Sequence, residues 1–197
     1  MTIDARSVAF DQLNQHVQAL DCDCTITHCL GQRFIGTGMC RHQVSIHGTP
    51  GNALGAYLNG GILEVFGNAQ DAVGDTMNAG SIIVHGSVGD TAGYAMRGGS
   101  IYIERDAGYR CGIHMKEYQQ KVPAIVIGGR YGSFLGEYQA GGTIVGEHEI
   151  IFAGRDEIIT LSHSARSKEI FAVGAVNAAV FMCGKDAGLY DMSQMIH

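Results

Sequence analysis

The chain has 197 residues, 29 of them glycine, and a formal net charge of −6. This length can bury the core of one domain or of two small ones, and a hydrophobic content of 46% excludes a disordered chain. The acidic balance, without any run of Lys and Arg to neutralise phosphates, argues against a nucleic-acid partner.

Residues 1–20 are predicted to form a short helix that caps one end of the fold. The apolar residues of this segment fall on one imperfect face: Val8, Leu13, Val17 and Leu20. Asp4 and Asp11 interrupt the apolar run that a signal peptide would need. No apolar stretch approaches the ~20 residues that span a bilayer. We therefore expect a cytoplasmic protein that has no membrane partner.

A group of cysteines follows this helix, with His28 among them. The cysteines are Cys22, Cys24, Cys29 and Cys40. Their spacing matches neither the paired cysteines of zinc ribbons nor the runs of ferredoxins. We predict that they are reduced, small hydrophobic side chains beside a β-strand. A metal site is the alternative that the sequence leaves open.

A glycine repeat dominates residues 31–146. One series recurs every 19 residues: Gly36, Gly55, Gly74, Gly93 and Gly112. A second series follows six residues later: Gly61, Gly80 and Gly99. Recurrence at a fixed period of this length is typical of a solenoid, in which each repeat stacks on its neighbours.

Apolar residues keep the same period and alternate with polar ones. The inward pairs are Leu63 and Val65, Ile82 and Val84, and Ile101 and Ile103. Two more ladders run Met39, Leu58, Met77, Met96, Met115 and Ile35, Leu54, Val73, Ala92, Cys111. Alternation indicates strands with one buried face. A 19-residue coil is too short for paired helices, so we predict an all-β fold, a parallel β-helix.

The period breaks once, after Met115. The next inward pair is Ile125 and Ile127, and the step from Ile101 to Ile125 is five residues longer than the regular step. Residues 116–122 are therefore predicted to leave the stack as a loop, which in repeat proteins often lies on the binding face. Candidate partner-interface residues in and around this loop are Arg97, Arg110, His114, Lys116, Glu117 and Tyr118.

Two alternatives exist for this region. Tyr94, Arg97, Tyr109 and Arg110 could form an anion-binding face, or His114 could act as a base oriented by Glu117. We favour partner binding over catalysis because no nucleophile or oxyanion-stabilising group accompanies these residues. The chain has no P-loop, no GxSxG elbow and no HExxH motif. We accordingly predict no catalytic residue, no metal ligand and no cofactor.

After the repeat, residues 147–197 contain apolar runs of strand character whose spacing does not continue the 19-residue period. They are predicted to be either irregular further coils or a different β layer that caps the stack. The predicted organisation is thus a cap segment over residues 1–30, a β-helix over residues 31–146 and this C-terminal part.

The ordered glycine segments carry a resemblance to a known family. They read GNALGAYLNGG, AVGDTMNAGSIIVHG and GDTAGYAMRGG, followed by GYRCGIHMKEY and PAIVIGGRYGSFLGEYQAGG. Over residues 31–146 the chain resembles the GXGXG family. That family contains the C-terminal domain of the large subunit of glutamate synthase, its stand-alone homologues, and one of the subunits of formylmethanofuran dehydrogenase.

The resemblance implies a right-handed parallel β-helix that carries no catalytic residue and no cofactor. It implies a scaffold between a class II glutamine amidotransferase and an FMN and iron–sulfur synthase, which would be this chain's partners. One alternative is the related subunit of a formylmethanofuran dehydrogenase or formyltransferase-type complex. A self-standing enzyme with a groove along the β-helix is another. Homo-oligomer formation is a further expectation.

Overall fold

The computed structural model describes residues 1–153 and 158–165, with side-chain burial for residues 1–146. The chain begins with β1 (Thr2–Asp4), a 3-10 turn (Ala5–Ser7) and α1 (Phe10–Ala19). The strands that follow are β2 (Cys24–Leu30), β3 (Gln43–Thr49), β4 (Asn59–Phe66), β5 (Ala79–Val84), β6 (Ser100–Ile103), β7 (Ala124–Ile127), β8 (Thr143–Ala153) and β9 (Ile158–Ala165).

The strands lie side by side in chain order. Strands β1 to β8 pair in parallel. Leu63 pairs with Ile82 and Ile82 with Ile101, so one coil of the stack corresponds to one glycine period. Ile101 pairs with Ile125, which is the lengthened step that the sequence predicts. The predicted parallel β-helix, with one glycine period in each regular coil, is confirmed.

The core is a set of ladders with one residue from each coil. Met77, Met96 and Met115 have no exposed surface, nor do Leu54, Val73, Ala92 and Cys111 of the neighbouring ladder. Both predicted ladders are therefore confirmed. No polar or charged residue is buried among the residues that the structure describes. The interior of the described coils is thus held together by apolar burial and by the parallel backbone ladder.

The helical cap exists, but it begins later than predicted. Residues 2–4 form β1, which pairs with β2 through Ile3 and Ile26. The parallel sheet therefore starts inside the segment predicted to be a cap. The sequence pattern does not show this because the coil from β1 to β2 carries α1 in place of a glycine corner. Leu13 and Val17 of α1 are buried against the core, as their spacing predicts.

The parallel stack gives way to a different pairing after Gly146. Strand β8 pairs with β7 through Thr143, Ile144 and Val145, and then pairs antiparallel with β9 from Gly146 to Ala153. An antiparallel partner cannot be a further coil of the same helix, so of the two C-terminal predictions this strand favours a different β layer. The remaining predicted runs, in residues 166–197, lie outside the described residues. In the described part of the chain, no helix is long and apolar enough to cross a membrane.

Candidate partner interface

The inserted residues form a small hairpin-like bulge on the outside of the β-helix. All residues from Lys116 to Val122 are exposed. The Tyr118 N–H donates to the Lys121 carbonyl at 3.1 Å, and the Lys121 N–H donates back to the Tyr118 carbonyl at 3.0 Å. The predicted exit of these residues from the stack is confirmed, and the bulge has an ordered backbone of its own.

The bulge folds back onto the preceding coil at Gly98. A Cβ atom at Gly98 would lie 3.0 Å from Cβ of Lys121, so the absence of a side chain there admits the lysine stem. Arg97 and Lys116 occupy equivalent positions in successive coils, because their N–H groups donate to the carbonyls of Met77 and Met96 in turn. Arg97, Lys116 and Lys121, all exposed, together form what we call the basic cluster.

Glu117 faces the following coil. Its Oε1 accepts a hydrogen bond from the Gly142 N–H at 3.0 Å, and its side chain lies against Gly141. This carboxylate fastens the last described coil to the bulge. The structure thus places Glu117 and His114 in different surroundings, and in the described residues no hydrogen bond or ion pair joins them as a base and its orienting acid would be joined.

Arg110 and His114 belong to a second group, which surrounds Glu137. Arg110 Nε lies 3.6 Å from Glu137 Oε2, and its guanidinium carbon lies 5.4 Å from the centre of the Phe134 ring. The His114 N–H donates to the Glu137 carbonyl at 2.9 Å. A cation over an aromatic face at this distance is attracted by the ring quadrupole. This group joins one coil to the next on the outer surface.

An aromatic stack continues from His114. The His114 ring lies 5.2 Å from the Tyr138 ring at an interplanar angle of 12°, and 5.8 Å from the Tyr94 ring at 81°. Tyr138 is 71% exposed and Phe134 is 57% exposed. Exposed aromatic side chains beside Arg are the residue types that protein–protein interfaces favour. We call Tyr94, Arg110, His114, Phe134 and Tyr138 the aromatic face.

Four of the six predicted site residues therefore divide between two surface groups, and Glu117 and Tyr118 lie in the bulge outside both. Arg97 and Lys116 lie in the basic cluster, whereas Arg110 and His114 lie in the aromatic face. Sequence reasoning missed Lys121, Phe134 and Tyr138. The spacing could have identified the two aromatic residues. Phe134 follows Arg110, and Tyr138 follows His114, by the lengthened coil step, and all four residues have left-handed backbone. Lys121 carried no signal, because its position depends on how the inserted residues fold back.

The N-terminal cysteines lie in two kinds of environment. Cys24 and Cys29 are buried on β2, whereas Cys22 and Cys40 are exposed. Burial raises the pKa of the Cys29 thiol to about 11, so this thiol stays protonated and unreactive at neutral pH. Among the described residues no set of three His, Cys, Asp or Glu side chains has the arrangement of a metal site.

A cleft lies beside α1 in the described part of the chain. Its volume is about 270 Å³, and Val17, Leu20, Cys40 and His42 are among its lining residues. The Nε2 atom of His42 is buried without a hydrogen-bond partner. The cleft lies at the N-terminal end of the stack, remote in sequence from the bulge and the aromatic face.

Comparison with known proteins agrees with this architecture. Residues 12–154, more than two thirds of the chain, match the family described as "GXGXG motif". The chain belongs to the GXGXG motif family. No solved structure matches this GXGXG protein with significance.

Relatives of two kinds are similar to this GXGXG protein. An uncharacterized protein of Methanocaldococcus jannaschii is 49% identical over 153 residues, which cover 74% of this chain and 59% of that protein. The 4-hydroxy-tetrahydrodipicolinate reductases of Caldanaerobacter subterraneus and Clostridium novyi are 57% and 59% identical over 56 residues. That segment is 28% of this chain and 22% of each reductase. The chain therefore spans only part of the relatives that it matches.

Proposed function

We propose that this GXGXG protein is a non-catalytic scaffold of a glutamate-synthase-like glutamine amidotransferase complex. Its partners would be a class II amidotransferase and an FMN and iron–sulfur synthase. Family membership supports the type of complex. The observation that carries the scaffold role is the aromatic face, where Tyr138 and Phe134 are more than half exposed beside Arg110. Such a surface is typical of a partner interface.

The described core supports the same role. The described coils pack on one another through apolar side chains. A rigid stack of this kind holds outer residues at fixed spacing, which suits the positioning of two partner proteins. In this proposal the protein aligns the site that releases ammonia from glutamine with the site that uses it.

Co-purification of the full chain from its native host tests the proposal. We expect the amidotransferase and the FMN and iron–sulfur protein to elute with it in stoichiometric amounts, identified by mass spectrometry. Tyr138→Ser should weaken this association about tenfold or more. Tyr57→Ser is the matched control, because Tyr57 is also exposed and occupies the equivalent corner of an earlier coil.

Two results would contradict the proposal. The first is a chain that elutes alone at every salt concentration. The second is co-elution with molybdenum or tungsten subunits, which would favour the formylmethanofuran dehydrogenase alternative. Turnover of a substrate by the purified chain, lost on substitution of His42 in the cleft, would favour the self-standing enzyme.

The reductase relatives suggest a second element of function. The archaeal relative aligns with 74% of this chain and the reductases with 28%. We infer that the reductase-like segment follows the last glycine pair, Gly136 and Gly142. At that point the repeat ends, and at Gly146 the pairing of β8 changes to antiparallel. About a fifth of a reductase is too little for a complete active site, so this segment would add an interaction surface.

An activity measurement distinguishes an interaction surface in this segment from a reductase function of the chain. We expect the full chain, supplied with a reduced nicotinamide cofactor as hydride donor, to consume no 4-hydroxy-tetrahydrodipicolinate. Deletion of residues 147–197 should leave the near-ultraviolet signal of the aromatic face unchanged. Consumption of that substrate at enzymatic rates would show that the chain is itself a reductase, contrary to the scaffold proposal.

A further inference from the structure

The charge of the chain is unevenly distributed. Residues 97–130 contain six of the 13 Lys and Arg residues but only three of the 19 acidic residues, although the chain as a whole carries −6. The basic cluster of Arg97, Lys116 and Lys121 lies within this stretch. A local excess of positive charge on an acidic protein creates a field that attracts one kind of partner and repels others.

The three cations of the basic cluster have no acidic partner among the residues that the structure describes. Within the described part of the chain, no ion pair joins Arg97, Lys116 or Lys121 to a carboxylate. The nearest acid in sequence, Glu117, faces the following coil, where its Oε1 accepts a hydrogen bond from the Gly142 N–H. Elsewhere Arg6 and Arg41 each have a carboxylate at 2.6 Å. The positive charge of the cluster is therefore available to a ligand.

The cluster is also built on a fixed frame. Arg97 and Lys116 extend from adjacent coils whose backbones are hydrogen-bonded to the stack. Lys121 is positioned by the paired backbone of the bulge and by its packing on Gly98. Groups held in place before binding lose less conformational freedom when a ligand arrives, so they bind it more tightly.

We propose that the basic cluster binds an acidic segment of a partner protein, a short stretch of Asp and Glu residues. This inference rests on the proposed function, because it names the chemistry of one partner. The Arg97 guanidinium can hold a carboxylate through two parallel hydrogen bonds, and Lys116 and Lys121 attract its neighbours. Tyr118, 51% exposed at the bulge, supplies an aromatic contact beside the charges.

Two other occupants fit the observations less well. A nucleic acid would meet a chain of net charge −6, and three cations neutralise too few phosphates to offset that repulsion. A second copy of this chain would place its acidic surface on the basic cluster. That contact joins two different patches, so it would build a ring or a filament and not a two-fold symmetric dimer.

Fluorescence anisotropy of a labelled hexaglutamate peptide tests the inference on the full chain. We expect saturable binding that weakens steeply with added salt. Replacing all three cluster residues (R97S, K116S, K121S) should weaken binding about tenfold or more. The matched control (R33S, R105S, R130S) removes the same charge from exposed positions outside the cluster and should weaken it about threefold or less. Thermal melts check that both variants fold.

Each alternative outcome overturns the inference. Equal weakening in the two variants would mean that net charge alone binds the peptide. Tighter binding of a labelled polyphosphate than of hexaglutamate would assign the cluster to a phosphate ligand. Concentration-dependent self-association in sedimentation, lost in the cluster variant, would assign it to a second copy.

If the partners co-purify equally with both variants, the inference fails and the proposed function stands. If the peptide binds the cluster but no partner co-purifies, the proposed function fails.

Discussion

His85 lies between two carboxylates from different coils. Its Nε2 is 3.0 Å from Glu64 Oε1, and its Nδ1 is 3.1 Å from Glu104 Oε2. Hydrogen bonds to Glu64 and then to Glu104 raise the pKa of His85. Only the imidazolium can donate to both carboxylates at once, because the neutral ring has a single N–H. The protonated side chain therefore ties three successive coils together on the outside of the stack.

This arrangement predicts a pH-dependent contribution to stability. The pKa of His85 is higher in the folded chain than in the unfolded one. The stabilisation is therefore fully present below the unfolded value of about 6.5 and is lost as the pH rises through the folded value. We expect His85→Gln to lower the melting temperature more at about pH 5.5 than at about pH 8.5.

His47→Gln is the control for this measurement. The His85 ring also stacks on the Phe66 ring, with 5.0 Å between centroids. His47 stacks on the same Phe66 ring at 4.8 Å and has no carboxylate partner in the described structure. Its substitution removes a stacked imidazole ring without removing a contact to a carboxylate. If His85→Gln lowers the melting temperature by the same amount at both pH values, the His85 ring stabilises the fold by stacking alone.

Part of the His85 arrangement is visible in the sequence. Phe66, His85 and Glu104 are spaced by 19 residues and so belong to one outward column. Glu64 belongs to the neighbouring column, and its approach to His85 depends on side-chain conformation, which spacing does not determine. The column could be predicted, but the hydrogen bond across columns could not.

At the scale of elements, the glycine corners show why the repeat needs glycine. Gly74 has φ of +69°, and a Cβ there would lie 2.5 Å from Cδ1 of Ile101, an inward residue of a later coil. Left-handed φ values alone do not demand glycine, because Ala72 and Thr76 in the same coil adopt them. The core side chain that fills the corner is the additional requirement.

Alanine substitution separates these two causes. Gly38 has a similar φ of +66°, but no atom lies within 4 Å of the position that a Cβ would take there. We expect Gly38→Ala to lower the free energy of unfolding by about 1–2 kcal/mol, the cost of left-handed backbone. Gly74→Ala should lower it by about 1–3 kcal/mol more, because Ile101 must move in a packed core. If denaturant titrations show that the two variants lose the same free energy of unfolding, contact with the core side chain is not the reason that the repeat requires glycine.

Helix α1 protects the exposed backbone of the coil beside it. The Asn14 side-chain amide donates to the Arg33 carbonyl at 2.9 Å, and that of Gln18 donates to the Thr37 carbonyl at 2.9 Å. One coil later, the equivalent carbonyls of Asn52 and Ala56 accept backbone N–H groups. Two side-chain amides thus replace the backbone donors of a preceding coil, and they cover an edge that would otherwise invite association.

Paired alanine variants test this role of α1. Replacing Asn14 and Gln18 leaves two carbonyls without their donors and should cost about 1–3 kcal/mol of unfolding free energy. The control replaces Gln12 and Gln15, which are exposed on the same helix, and should change stability by about 0.5 kcal/mol or less. If the two double variants melt alike, the side-chain amides do not cap the stack.

The coil period made strands β3 to β7 predictable, because each buries the same positions one coil step after the strand before it. Strand β1 was not predictable, since three residues with a single buried side chain, Ile3, carry no periodicity. The candidate site was predictable only in part. Spacing placed Arg97 beside Lys116, whereas the position of Lys121 depends on the fold of an insertion that occurs once.

At the scale of the whole molecule, the β-helix presents two kinds of surface near the bulge. The aromatic face offers exposed rings with Arg110, and the basic cluster offers three cations that have no acidic partner in the described residues. Both lie on coils whose spacing is set by a buried apolar core. Two surfaces of different chemistry on one rigid body suit a protein that holds two different partners, which is the role that we propose.

Reconstitution of the complex tests this role most directly. The amidotransferase and the FMN and iron–sulfur protein are combined with glutamine, the substrate that accepts the ammonia and an electron donor, with and without this chain, and free ammonia and glutamate are measured as glutamine is consumed. If the chain is the scaffold, its addition should convert glutamine to product with little release of ammonia, and without it ammonia should accumulate. The same ammonia release with and without the chain would contradict the account.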